Sequence, residues 1–179
     1  MSTELLDQYR SASEWTASKV EGAEPRLDAP TPCDDWDVQT LLNHMVDTQQ
    51  YFVRSARGEK VSPPSSEPPD GLIGDDPAGA YERARKETID TFSEDGVIER
   101  TGPSLGIAFS DTLLHGWDVA KATGQDTAMP DGLAAAAYEV VHGAFTDEQR
   151  KGVFKPEIEV GNDASPQEKL LAYTGRDPG

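Results

Sequence analysis

Apolar residues recur along most of this chain at intervals of three and four, the spacing of one helix face. In residues 3–20, Leu5, Leu6, Tyr9, Ala12, Trp15 and Ala17 mostly follow it, and the pattern stops before Gly22. Residues 24–36 contain Pro25, Pro30 and Pro32 and read as a loop. Asp37 then reads as an N-cap, followed by a strong amphipathic pattern through Val38, Leu41, Leu42, Met45, Val46, Phe52 and Val53 that closes at Gly58. Trp36, one residue before the cap, is placed to pack on Leu41 as a hydrophobic staple. Residues 59–76 are rich in Pro, Ser and Gly and read as a connector or a disordered stretch rather than a lid. A third helix starts near Pro77, runs through Tyr81, Ala84, Thr88, Ile89 and Phe92, and stops before Gly96. A fourth covers roughly 105–123, with Gly124 as its C-terminal stop, and an Ala-rich fifth spans about 131–145. The tail holds a short extended piece at 157–160 and a short helix at 166–172. Nothing else alternates with period two, so the pattern predicts an all-α bundle with an additional C-terminal helix and a short tail.

Length and charge narrow this picture. The 179 residues suit one domain, with a core over about 1–145 and a tail over about 146–179. Sixteen Lys and Arg against 33 Asp and Glu give a net charge of −17, which repels phosphate and argues against nucleic acid or an anionic membrane as partner. The single cysteine, Cys33, can form no internal disulfide and no Cys-rich zinc site, which suits a reducing cytoplasm. The N-terminal stretch carries charge from Glu4 onward without an apolar signal-peptide region, and no 18 apolar residues run together. No Gly-rich phosphate loop, G-x-S-x-G or Cys-x-x-Cys motif occurs.

The candidate chemistry lies with the histidines. His44 and His115 sit mid-helix among apolar neighbours, and Asp111 lies four residues before His115. At ~100° per residue, four steps leave Asp111 and His115 about 40° apart, one turn separated on one face. That spacing lets a carboxylate and an imidazole reach one ion, and His44 on another helix could complete the set across the bundle. Two imidazoles and a carboxylate are a normal ligand set for Zn²⁺, Fe²⁺ or Ni²⁺. The plainer alternatives are hydrogen-bonded core histidines and a simple Asp–His ion pair. Asp118, three residues after His115, is a candidate partner for a ligating ring, with a solvated Asp as the alternative. Asp47 and Thr48 follow His44 at the same kind of spacing. Trp36 and Trp117 read as core anchors, Gly116 as a point of close helix approach, and Asn43 as a neighbour only. Cys33 has no histidine nearby in sequence and reads as structural; Arg54 and Arg57 read as surface residues, and His142 has no spaced carboxylate.

The segment TPCDDWDVQTLLNHMVDTQQYFVRSARGE (31–59) resembles the second-helix motif of an actinobacterial family. That family is related to the metal-binding N-terminal domain of mycothiol-dependent maleylpyruvate isomerase, within the DinB-like superfamily. FSDTLLHGWDVAKATGQD (109–126) resembles its second metal motif, and DASPQEKLLAYTGRDPG (163–179) its closing segment. The resemblance implies a DinB-like four-helix bundle holding a divalent metal, zinc first and nickel or iron next, at His44, Asp111 and His115. It also implies a thiol such as mycothiol as co-substrate and a small electrophile as substrate, in a transferase or isomerase reaction. The alternative is a metal- or ligand-binding bundle without turnover. Two departures stand out. The isomerase has Glu at the position matching Asp111. Only about 35 residues follow the last long helix here, where the isomerase has a substantial further domain, so its thiol-binding residues cannot be carried over.

Overall fold

The computed structural model describes residues 2–179. They form eight helices: α1 (Ser2–Ala23), α2 (Val38–Ala56), α3 (Pro77–Phe92), α4 (Val97–Thr101), α5 (Ser104–Thr123), α6 (Leu133–Ala144), α7 (Asp147–Lys151) and α8 (Pro166–Tyr173). The predicted stops are physical ones. The Asp37 carboxylate accepts from the Thr40 amide at the start of α2, and Gly124 adopts the left-handed conformation that ends α5. α4 and α7, five residues each, were not visible in the periodicity. The extended piece expected at 157–160 pairs with no strand; Ile158 donates instead to the carbonyl of Ala172 in α8. No described helix is long and apolar enough to cross a membrane.

Four long helices close a ring: α1 packs on α5 and α3, and α2 packs on α3 and α5. Their direction follows from two apolar clusters. Leu6 of α1, Phe52 of α2, Phe92 of α3 and Phe109 of α5 share the first cluster. Val20, Leu41, Ala80 and Val119 of the same helices share the second. In α1 and α5 residue numbers rise from the first cluster to the second, and in α2 and α3 from the second to the first. α2 and α3 are therefore neighbours running the same way. The connection between them must return along the 19 residues of α2, about 28 Å at 1.5 Å per residue. That is why residues 57–76 are long. They are also tied down: the buried Asn43 side chain accepts from the amides of Leu72 and Ile73. Asn43 is thus more than a neighbour of His44, and the stretch is not a bare connector.

Between the two clusters lies a buried polar knot. Gln49 Oε1 accepts from the Tyr9 hydroxyl and from Thr88 Oγ1 at 2.7 Å. Outside the ring, α6 packs on α5 and α8 packs on α6. The Arg150 guanidinium lies 4.8 Å over the Tyr173 ring and fastens α7 to α8.

α1 and α5 approach closely at Gly116. A Cβ there would collide with Thr16 Oγ1 and come within 2.8 Å of the Trp15 ring. Gly116→Ala is expected to destabilise the protein by about 1–3 kcal/mol, the usual cost of overpacking. Urea denaturation checks this against Gly143→Ala, where an added Cβ meets nothing.

Candidate metal centre

Helical spacing places Asp111 and His115 on one face of α5, where His115 Nε2 lies 3.4 Å from Asp111 Oδ1. α2 brings His44 to the same point. The two imidazoles meet edge-on, with centroids 5.0 Å apart at 82°. One donor atom from each of His44, Asp111 and His115 lies within 4.8 Å of the others. The three residues singled out from sequence therefore converge, from two helices of the ring.

The other nitrogen of His115 is occupied. Nδ1 lies 2.9 Å from Asp118 Oδ2, and Asp118 is fully buried. Arg176, beyond α8, donates to Asp118 through Nε at 2.9 Å and through Nη2 at 2.7 Å, a two-pronged pair. The Cys33 thiol donates to the same carboxylate at 3.4 Å and lies 3.9 Å from His115 Nδ1. Sequence reading placed no histidine near Cys33 and did not identify Arg176. Cys33 lies 82 residues from His115, and Arg176 lies 58 residues from Asp118. The available signal was Asp118 itself: a carboxylate on a helix as apolar as α5 needs a cation, wherever the chain supplies it.

The electrostatics follow from this arrangement. Burial pushes the His115 imidazole down, but Asp111, Asp118 and Cys33 together lift it well above the ordinary histidine value. Burial works against ionised Asp118 too, yet Arg176 and His115 overcome it and hold the carboxyl below its usual range. Asp111 is likewise lowered against its burial, chiefly by His115. His44 goes the other way: burial, then the positive His115, bring it down to about 4. A neutral His44 therefore sits beside a charged His115–Asp111 pair.

Two observations fit a cation at this point. The donor set is two imidazoles and a carboxylate, suited to borderline divalent metals. The His44 ring is also poorly used by the protein alone. Its Nδ1 is buried with no hydrogen-bond partner, and its Nε2 has only Thr48 Oγ1 at 3.4 Å. Cys33, His115 and Asp118 form a second convergent group, but Asp118 there is already committed to Arg176.

The donors open onto a cavity of about 960 Å³. Trp36 lines it, its ring 4.7 Å from His44 and its indole N–H donating to the carbonyl of Ser66. It is half-buried and packs on the second apolar cluster as expected, and the turn before α2 also aims the ring over the histidine. Trp117 is in the core as expected, 2% exposed. Residues 64–68 form part of the wall, so the long crossover contributes to the site. Arg54 and Arg57 pair at the surface with Glu59 and Glu87. His142 stacks with Tyr138, away from the three donors.

A family model described as the mycothiol maleylpyruvate isomerase N-terminal domain matches residues 9–120, which include all three donors. Two similar proteins of Mycobacterium tuberculosis are the uncharacterized MT0763 of strain CDC 1551 / Oshkosh and the uncharacterized Rv0738 of strain H37Rv. Each is 27% identical over 185 residues, covering 96% of this chain and 97% of the relative. No solved structure gives a significant match.

The midpoints of the two histidines should be displaced in opposite directions in the metal-free protein. In an ¹⁵N-detected NMR titration, His44 is expected to stay neutral down to about pH 4, and His115 to stay protonated well above 6.5. Folded His44 binds its proton less readily than the unfolded chain does. Its contribution to stability is therefore full above about pH 6.5 and is lost as the pH falls toward 4. The His115 contribution is full below 6.5 and fades as the pH rises through its elevated folded value. His44→Gln should flatten the acid limb of the stability profile between 6.5 and 4. Arg176→Ala should destabilise the fold by about 3–5 kcal/mol, because it strands a buried carboxylate.

Proposed function

The chain belongs to the mycothiol maleylpyruvate isomerase N-terminal domain family, and from that premise we propose that it is a metal-dependent thiol transferase or isomerase acting on small electrophiles. His44, Asp111 and His115 are its metal ligands, zinc is the first metal to test, and mycothiol is the first thiol. One observation carries the reading. Three convergent donors, and no fourth among the described residues of that group, face a cavity large enough for a substrate. Three protein ligands with one side open is the pattern of catalytic sites rather than closed structural ones.

A divalent cation at this point supplies a Lewis acid that favours the thiolate form of a nearby thiol near neutral pH. The rest is done by the chain. With a cation bound, Asp118, held from behind by Arg176, would hold the remaining proton of His115 on Nδ1 and leave Nε2 facing Asp111 and His44. Burial keeps His44 neutral and available as a donor. Trp36 covers the His44 ring and restricts water on that side. Asp111 has the shorter carboxylate side chain, so its oxygen must be carried by α5 itself.

Metal analysis and turnover test the proposal together. Protein purified without chelators should carry about one divalent ion per chain, and His44→Ala, Asp111→Asn and His115→Ala should each lose it. Asp111→Glu should retain it. Affinity should fall on acidification, because the cation must displace the His115 proton. The loaded wild type should consume mycothiol when offered a panel of small electrophiles, and His115→Ala should not. Equal metal content in wild type and the His44→Ala/His115→Ala double variant would show the ligand assignment to be wrong. Stoichiometric metal with metal-linked stabilisation but no thiol consumption would establish the non-catalytic binding reading instead.

A further inference from the structure

The cavity beside the three donors has a marked division of chemistry. On α5, Ile107 and Leu114 share the face of Asp111 and His115, one turn to either side of the carboxylate. Val140 and Val141 of α6 continue that apolar wall, and Phe145 and Phe154 extend it from the segment around α7. Val141 and Leu114 are buried, whereas Ile107, Val140, Phe145 and Phe154 are half-buried, so they present apolar surface to the space beside the donors.

The charges lining the cavity point the same way. Its cations are Lys155, Arg176 and the charged His115, which is paired with Asp111 and Asp118. Lys155 Nζ is spent on Asp34 at 2.7 Å and on the carbonyl of Pro32 at 3.0 Å. Arg176 is spent on Asp118. Asp35 and Glu67 also line the cavity and make no ion pair. In the metal-free protein, a carboxylate, sulfonate or phosphate lying on the apolar wall would find every cation of the lining already paired with a carboxylate and would face two unpaired acids. Moving such a group out of water without a partner is strongly unfavourable. An uncharged apolar group would bury surface against six apolar side chains at no such cost.

We propose that the wall formed by Ile107, Leu114, Val140, Val141, Phe145 and Phe154 is a binding subsite for the uncharged apolar part of the electrophile, and that this wall, as distinct from the end of the cavity that faces the donors, disfavours anionic groups. The proposal deepens the thiol-transfer reading and rests on it for the word electrophile. The subsite itself can be tested without metal or turnover.

The probes are N-phenylnaphthylamine and its sulfonated counterpart anilinonaphthalene sulfonate, which share their rings and differ in one negative charge. Fluorescence titration of the metal-free full chain should show one saturable site for the neutral probe, with the sulfonate bound about tenfold or more weakly. Ile107→Lys should weaken the neutral probe about tenfold and narrow or reverse the preference. Phe154→Ala, at a half-buried position, should weaken the neutral probe without altering the preference for it over the sulfonate. Thermal melts of both variants confirm that they are folded. Equal or tighter binding of the sulfonate by the wild type overturns the proposal, as does neutral binding unchanged in both variants. Neutral-probe binding in a protein that takes up no metal overturns the proposed function and leaves the apolar subsite standing. Metal uptake with no neutral-probe binding does the reverse.

Discussion

The paired hydrogen bonds between Arg176 and Asp118 hold the candidate centre in register. Asp118 is completely buried, and a lone carboxylate in that position would take up a proton rather than remain charged. It would then cease to fix the tautomer of His115. The guanidinium keeps it ionised, and the ionised oxygen favours a proton on His115 Nδ1, so that a proton lost from the ring leaves from Nε2. The pair also anchors the segment after α8 against α5. A buried ion pair is not in itself a source of stability, since desolvation offsets much of its attraction. Its effect here is to specify one arrangement: one ring orientation, one free nitrogen and one path for the tail.

A second constraint is topological. α1 and α5 run one way, α2 and α3 the other, and the same-direction neighbours α2 and α3 require a crossover along the bundle. A loop of that length costs conformational entropy, and the protein offsets this by pinning it at Asn43 and at Trp36. The crossover thereby becomes a wall of the cavity. The seam between α2 and α5 that carries the candidate donors is roofed by a segment whose length the topology already demanded.

Much of this was legible in the sequence because the signals were local. Helix caps at Asp37 and Gly124, and the four-residue step from Asp111 to His115, depend on neighbours along one helix. Gly116 was recognisable as a point of close approach for the same reason. What escaped depended on distant parts of the chain. Cys33 looked structural because its histidine lies 82 residues away. Trp36 packs on the core as its position before α2 implies, but its place in the cavity wall depends partly on residues 64–68. The crossover looked like a plain connector because its necessity appears only once the helix directions are known. Arg176 lies in a short polar tail that carries no periodicity at all. The two five-residue helices, α4 and α7, are too short to show a repeat.

The distribution of the donors along the chain also bears on how the protein folds. Asp111, His115 and Asp118 lie within eight residues of one helix, so two of the proposed ligands and the carboxylate behind them come into place as soon as α5 forms, on the timescale of local helix growth. His44 arrives only when α2 docks on α5, and Arg176 only when the segment after α8 closes over both, contacts that must first meet the entropy of long loops. On the proposed metal reading, a cation would therefore meet a half-built site before the tertiary structure is complete. Whatever it binds there lessens the stabilisation it lends the finished fold, while giving the late-docking helix a partner already in place.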